Sequence, residues 1–277
     1  MSTSLEISTR VDLNNGISMP LLGLGVYQMN DEQVQVAIDA ALDTGYRLID
    51  TASFYGNETG VGKALQSASI DQSEIFVTTK VWNADQGYDQ TLRAFDTSMR
   101  KLGLDVLDLY LVHWPVAGKY LDTWRAMEYL YKEGRVRAVG VSNFLIEHLA
   151  DLARHSDLVP ALNQIEFHPH LQQPALLEYC ADRQIQVQAW SPLMQGQVFS
   201  VPLLQTLAKK YEKSEVQIVL RWNLQRGIST IPKSAEPHRI ADNGDLYDFC
   251  LSAEEMGQLA AIDQGIRIGP DPADFDF

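Results

Sequence analysis

Eight short apolar runs recur along this chain, with longer stretches of helical spacing between them. They are LLGLG (21–25), RLID (47–50), IFVTTK (75–80), DLYLVHW (108–114), VRAVGVS (136–142), ALNQIEF (161–167), IQVQAW (185–190) and ISTIPK (228–233). Of the intervening stretches, DEQVQVAIDAALDTG opens on an acidic turn, places Val34, Ile38, Ala41 and Leu42 on one face, and stops at Gly45. YDQTLRAFDTSMRKLG repeats the pattern with Leu92, Phe95, Met99, Leu102 and Gly103, and DTWRAMEYLYKEGRV with Trp124, Met127, Leu130, Tyr131 and Gly134. Strands alternating with helices make βα units, whose parallel solutions are a closed barrel or an open doubly wound sheet. Ahead of the first unit, TRVDLNNGISMP sets two alternating runs on either side of NNG, a hairpin signal. The 277 residues fall within the range of one α/β barrel. No linker or low-complexity tract divides them, so a single domain over 1–277 is expected.

A parallel barrel carries its chemistry where strands end, in the loops that follow. Polar residues stand at those places here. Asp50 ends the second run, Lys80 the third and His113 the fourth. Ser142 and Asn143 stand at the end of the fifth, Gln164 in the sixth, Trp190 and Ser191 at the end of the seventh, and Lys233 and Ser234 at the end of the eighth. Tyr55 follows Asp50 closely, just before the turn residues Gly56 and Asn57. On the residues alone, Asp50, Tyr55, Lys80 and His113 admit two readings. One is a buried Asp50–Lys80 ion pair beside a satisfied histidine. The other is a tuned tyrosine acid. A phenol has a pKa of about 10 and is a poor donor near neutrality. A nearby ammonium favours its phenolate, a carboxylate fixes the ammonium, and a histidine orients a carbonyl or shares the proton.

Other signals fail on their spacing. GLG at 23–25 lacks the third glycine of a dinucleotide fingerprint, where Gln28 stands. GNETGVGKA imitates a phosphate loop, but Asn57 replaces its first glycine and Ala64 its Ser or Thr. FHPH (167–170) has no third ligand at fixed spacing, so it reads as a strand-exit loop and no metal is expected. His148 and His155 read as surface or packing residues on a helix. The net charge of −14 repels nucleic acid and anionic membranes. No run approaches the length of a membrane span, and the N-terminal stretch has no signal-peptide core. A cytoplasmic monomer is therefore expected, with Cys180 and Cys250 reduced and buried.

Taken in order, GLGVYQ, LIDTASFYGNE, IFVTTKVW, DLYLVHWP, VGVSNF, NQIEFHP, WSPL and IPKS…R resemble the aldo-keto reductases motif for motif, from about Val11 to the C-terminus. Trp190 and the ending RIGPDPADFDF are most similar to the bacterial 2,5-diketo-D-gluconate reductase branch. The resemblance implies a (β/α)8 TIM barrel with an N-terminal β-hairpin and a C-terminal substrate loop, binding NADPH in an extended pose without a Rossmann domain. It implies hydride transfer from NADPH to an aldehyde or ketone, with Tyr55 as general acid and Asp50, Lys80 and His113 completing a catalytic tetrad. NADH would serve at lower affinity, and 2,5-diketo-D-gluconate or a related small carbonyl compound would be the substrate.

By the same resemblance Trp190 stacks on the nicotinamide, and Ser142, Asn143 and Gln164 hold its carboxamide near Asp50. Gly23, Val26 and Tyr27 line the first loop, and Ser191, Leu193 and Gln195 follow the pyrophosphate. Ile231, Lys233, Ser234, Arg239, Asp242 and Asn243 bind the adenosine end. Tyr27, Phe54, Tyr55, Trp82, His113, Trp114 and Phe275 wall the substrate pocket, with core packing as the alternative for Trp82 and Trp114. The segment IPKSAEPHR departs from the family pattern at Ala235, Glu236 and His238. Glu236 either faces the 2′-phosphate and repels it, or points outward as a first-turn acid. A regulatory subunit on the same barrel and hydrolysis by two carboxylates are the competing readings. The intact tetrad argues against the first; against the other, Asp50 has a lysine partner by resemblance and no second catalytic-looking acid stands at a strand exit.

Overall fold

The computed structural model describes residues 5–274, so Phe275 lies outside the described residues. Strands β1 (Arg10–Asp12) and β2 (Ser18–Pro20) form the antiparallel hairpin, pairing Val11 with Met19. Gly16 takes a φ of 81° in its turn, which glycine adopts without a Cβ penalty. Eight parallel strands follow, β3 (Leu24–Gly25), β4 (Leu48–Asp50), β5 (Phe76–Val81), β6 (Leu107–Val112), β7 (Val136–Ser142), β8 (Leu162–Glu166), β9 (Gln186–Trp190) and β10 (Ser229–Thr230), each beside its predecessor. Bridges between Leu22 and Thr230 and between Gly25 and Lys233 join the first strand to the last. The sheet therefore closes, and the barrel rather than the open sheet is the outcome.

Side chains alternate across each strand. Ile49, Val77, Tyr110, Val112, Val139, Val141 and Ile165 turn outward into the core shared with the helices. Leu48, Phe76, Leu109, Leu111, Ala138, Leu162 and Ile231 turn inward and cluster with Leu13 and Met19 of the hairpin. The hairpin thus seals one end of the barrel. Continuing the same alternation brings Asp50, Lys80, His113, Ser142, Gln164 and Trp190 to the interior at the other end.

The helices around the barrel are α1 (Asp31–Thr44), α2 (Glu58–Ser67), α3 (Tyr88–Leu102), α4 (Tyr120–Lys132), α5 (Ile146–His155), α6 (Pro174–Asp182), α7 (Pro202–Tyr211), α8 (Glu215–Gln225), α9 (Pro237–Gly244) and α10 (Ala253–Ala260). Helix α1 begins with an Asn30–Gln33 capping box, buries Val34, Ile38, Ala41 and Leu42, and ends at Gly45 with φ 108°. Gly60 and Gly62 of GNETGVGKA lie in α2 and serve packing. A Cβ on Gly60 would stand 2.8 Å from an Asp31 carboxylate oxygen, and one on Gly62 2.4 Å from the Lys101 carbonyl oxygen. Cys180 is buried as expected, but Cys250 is exposed; both are free thiols. Cys250 lies in the segment between α9 and α10, its Sγ 3.6 Å from the Leu251 carbonyl oxygen. Among the described residues, no helix is long and apolar enough to cross a membrane.

Candidate active site

Tyr55 is delivered by a short turn rather than by a strand. A 3-10 turn at Ser53–Tyr55 follows β4, and Gly56 reverses the chain at φ 72°. Ser53 Oγ donates to the Lys80 carbonyl oxygen at 3.0 Å, tying the turn to β5. Asn57, read from sequence only as a turn residue, is buried and does more. Its Nδ2 donates to the carbonyls of Val26 (2.8 Å) and Met29 (3.1 Å), while its Oδ1 accepts from Thr51 Oγ1 (2.9 Å). One amide thus fastens the loop after β3 to the turn that carries Tyr55.

The structure brings the four expected catalytic residues together. Lys80 Nζ lies 2.5 Å from Asp50 Oδ1, 2.8 Å from the Thr51 carbonyl oxygen and 3.3 Å from the Tyr55 hydroxyl. The His113 ring stands edge-on to Tyr55, with centroids 5.8 Å apart and planes at 74°. Its Nδ1 is buried and has no hydrogen-bond partner among the described residues. Burial first, and the Lys80 ammonium second, hold His113 well below its usual pKa, so the ring is neutral at ordinary pH. Burial pushes the Asp50 carboxyl up and the Lys80 ammonium down, and each charge offsets that shift in the other.

Tyr55 differs from the expectation. Burial, then the charges of Asp50 and Tyr27, raise its pKa well above 10. The ammonium that was to favour the phenolate is closer to Asp50 than to the phenol, and its field is largely cancelled there. The protein therefore holds Tyr55 firmly as a neutral phenol.

Beneath the tetrad runs a polar chain that the sequence reading only partly found. Gln164 Nε2 donates to Asp50 Oδ2 and to Gln188 Oε1, each at 2.7 Å, and Gln188 Nε2 donates to Ser229 Oγ at 3.0 Å. Gln188 stands two positions before Trp190 on the same face of β9, so strand alternation alone could have located it. Asn143 takes a left-handed φ of 65°, tolerable for asparagine, and Nδ2 donates to the His113 carbonyl oxygen at 3.0 Å and to Ser142 Oγ at 3.1 Å. Trp190 Nε1 donates to Asn143 Oδ1 at 2.8 Å, which fixes the indole against that network.

The open side is aromatic. Phe54 stacks on Trp82 with centroids 3.8 Å apart, and Trp82 meets His113 edge-on at 5.1 Å. Tyr27 lies 4.9 Å from the Tyr55 ring. Tyr27 and Phe54 are 46% and 49% exposed, which leaves the mouth open, whereas Trp114 is buried.

The expected cofactor residues divide. Ser191 and Gln195 take left-handed φ values of 48° and 51°, with Met194 at 52° and Gly196 at 92°, and Leu193 is half-buried among them. Such a cluster of sparsely populated conformations is what ligand-clamping loops tend to show. Lys233, Arg239 and Asp242 are exposed, and Ser234 and Asn243 are buried. Glu236 precedes α9 as an exposed residue whose side chain does not cap the helix, and its N–H donates to Ser234 Oγ at 3.1 Å. Three residues also have packing reasons. The Gly23 hydrogen leaves room for Leu48, since a Cβ there would stand 2.5 Å from Leu48 Cγ. The Val26 side chain is in the outer core, and its backbone N–H and carbonyl are bonded to Asp50 and Asn57. Ile231 packs inside the barrel.

One acid was missed. Glu166, the last residue of β8, is fully buried at a strand exit, where no second acid was expected. His168 of the FHPH stretch lies beside it, its Nε2 3.0 Å from Glu166 Oε1.

Comparison with known proteins identifies this barrel as an NADP-dependent oxidoreductase acting on carbonyl groups. The chain belongs to the aldo/keto reductase family, whose model matches residues 21–264. It is 49% identical over 278 residues to a glyoxal reductase of Bacillus subtilis (strain 168), covering all of both chains. Methylglyoxal reductase DkgA of Escherichia coli (strain K12) is 48% identical over 271 residues, which span 96% of this chain and 98% of the relative. Among solved structures, a variant of Gox0644 in complex with NADPH superposes with a TM-score of 0.94 at 43% identity, covering 98% of this chain and 100% of that one.

Proposed function

We propose that this protein reduces small dicarbonyl compounds of the glyoxal and methylglyoxal type with NADPH, and that Tyr55 supplies the proton. The observation that carries the reading is the Tyr55 hydroxyl, 3.3 Å from Lys80 and beside the edge of His113, at the foot of the open aromatic mouth. When bound, the nicotinamide supplies the hydride. Trp190 offers its indole face as the platform for the ring, and Ser142, Asn143 and Gln164 offer amide and hydroxyl groups to its carboxamide. Lys233 and Arg239 are exposed cations suited to a 2′-phosphate, and the left-handed residues after β9 suit the pyrophosphate.

On the substrate side, neutral His113 presents an N–H to the carbonyl oxygen and orients it without becoming a rival acid. Tyr55 then gives its proton to the oxygen as negative charge develops there. Its raised pKa does not prevent this, because an alkoxide is a far stronger base than a phenolate. Lys80, held by Asp50 and the Thr51 carbonyl, donates to the Tyr55 oxygen and keeps it aimed at the substrate. Phe54, Trp82 and Tyr27 close around a small substrate and exclude water.

The test is the loss of the reduced-nicotinamide absorbance when the protein and NADPH meet glyoxal, methylglyoxal and 2,5-diketo-D-gluconate. Turnover is expected with the first two above all. Tyr55→Phe should lower kcat by about 10²–10⁴-fold and leave NADPH binding close to wild type. A variant retaining more than about a tenth of wild-type turnover would remove Tyr55 from the role of acid.

A further inference from the structure

Glu166 is an inward-facing carboxylate at the mouth of the barrel that the proposed proton transfer does not use. Its side chain is wholly buried, yet no lysine or arginine pairs with it among the described residues. It is occupied by the C-terminal segment. Oε1 accepts from the Ile268 N–H at 2.7 Å, and the Gly269 N–H lies 3.2 Å from both carboxylate oxygens. His168 Nε2 completes the set at 3.0 Å, and because a carboxylate only accepts, that nitrogen carries its proton. The carbonyl of Glu166 itself accepts from Gln173 Nε2 at 2.7 Å, so the backbone under the clamp is fixed too.

The clamped segment lies against Trp190. A Cβ added to Gly269 would stand 2.4 Å from Trp190 Cη2 and 3.0 Å from Cζ3. The indole is thus held at two places. Asn143 fixes its N–H corner at 2.8 Å, and the backbone at Gly269 abuts the far edge of the benzo ring. Without the second contact, the ring would pivot about its hydrogen bond.

We propose that Glu166 is a positioning residue: by clamping the 268–269 backbone it sets the plane of Trp190 and hence the seat of the nicotinamide. The effect on the reaction rests on the proposed stacking of cofactor on Trp190; the clamp itself does not. Gly269 belongs to the same device, since any side chain there would push either the indole or the segment out of place.

Glu166→Gln keeps the volume but turns one acceptor toward the Gly269 N–H into a donor. In the free protein, hydrogen exchange of peptides covering 265–274 should speed up at least about tenfold, while the rest of the barrel keeps its protection. With NADPH, its KM should rise and the quenching of tryptophan fluorescence should fall. Gly269→Ala approaches from the other side with the clamp intact, so the indole must move, and the same two readouts should change. In the double variant the loosened segment yields instead, so the effect of Gly269→Ala should shrink, a coupling that independent packing defects would not give. Unchanged exchange at 265–274 in Glu166→Gln would overturn the clamp. Faster exchange with NADPH KM and quenching unchanged would overturn the positioning role. Failure of wild-type protein to bind NADPH would instead sink the proposed function, and the positioning role with it, leaving the exchange result to judge the clamp alone.

Discussion

Lys80 reaches Asp50 along the diagonal of its strand pair: the register sets Asp50 against Thr78, and the ammonium at the next inward position of β5 returns to within 2.5 Å of the carboxylate. Both groups are buried, so each is the condition for the other's charge.

The first prediction follows from that pairing. Lys80→Met strands Asp50 in the barrel and should cost about 3–5 kcal/mol of stability, together with most of the carbonyl reduction. Adding Asp50→Asn removes the stranded charge and should return much of the stability but none of the activity. Urea unfolding and turnover of the two variants measure this; activity returning in the double variant would mean that Lys80 serves folding alone.

Cofactor preference turns on α9. Arg239→Ala should weaken NADPH binding by about 1.5–3 kcal/mol, the range for a charged hydrogen bond, and barely touch NADH. Glu236 is exposed and forms no ion pair with Lys233 or Arg239 among the described residues, which suits the outward pose. Glu236→Thr should still widen the margin for NADPH modestly, by removing a negative charge near two cations. Competition binding of both cofactors decides it, and an equal loss for NADH and NADPH in Arg239→Ala would dismiss the 2′-phosphate site.

A third prediction concerns acid. Burial pushes the Glu255 carboxyl up, but bonds from Lys210, Tyr211 and Ser252 more than offset it and bring the pKa down to about 2 from 4.5. Lys210 Nζ lies 2.6 Å away, the Tyr211 hydroxyl 2.5 Å, and the Ser252 N–H 2.7 Å. The folded carboxyl resists a proton that the unfolded one accepts. Its contribution is therefore complete above pH 4.5 and is lost as pH falls from there toward 2. Glu255→Gln should lower stability by on the order of 1–3 kcal/mol at neutral pH and flatten the decline below pH 4.5. Melting curves of both proteins between neutral pH and pH 3 test it, and parallel declines would count against the assignment.

Much of the barrel was legible because its signals are local. The eight runs coincide with β3 to β10, and Asp50, Lys80 and His113 stand at strand exits where period-two alternation puts them inside. What escaped the sequence depends on distances between segments far apart in the chain. Lys80 was expected to favour the Tyr55 phenolate, but Asp50 takes up its field, and only the spatial arrangement decides between those two partners. Glu166 hid inside an apolar run because its partners, the N–H groups of Ile268 and Gly269, carry no side-chain signature. Val26 and Ile231 sit beside recognisable motifs, yet their own side chains face the core. Gly60 and Gly62 make GNETGVGKA look like a phosphate loop since both uses need a missing Cβ; here helix packing is the reason.

The seam between Leu22–Gly25 and Thr230–Lys233 also sets an order of events during synthesis. Until the eighth strand leaves the ribosome, β3 and β9 each present an unpaired edge, the template on which strands of other chains add. Joining that seam requires the two most distant parts of the sheet to meet, so it comes late. A chain interrupted shortly before Ser229 is thus nearly all of the barrel and yet the form most exposed to misassembly.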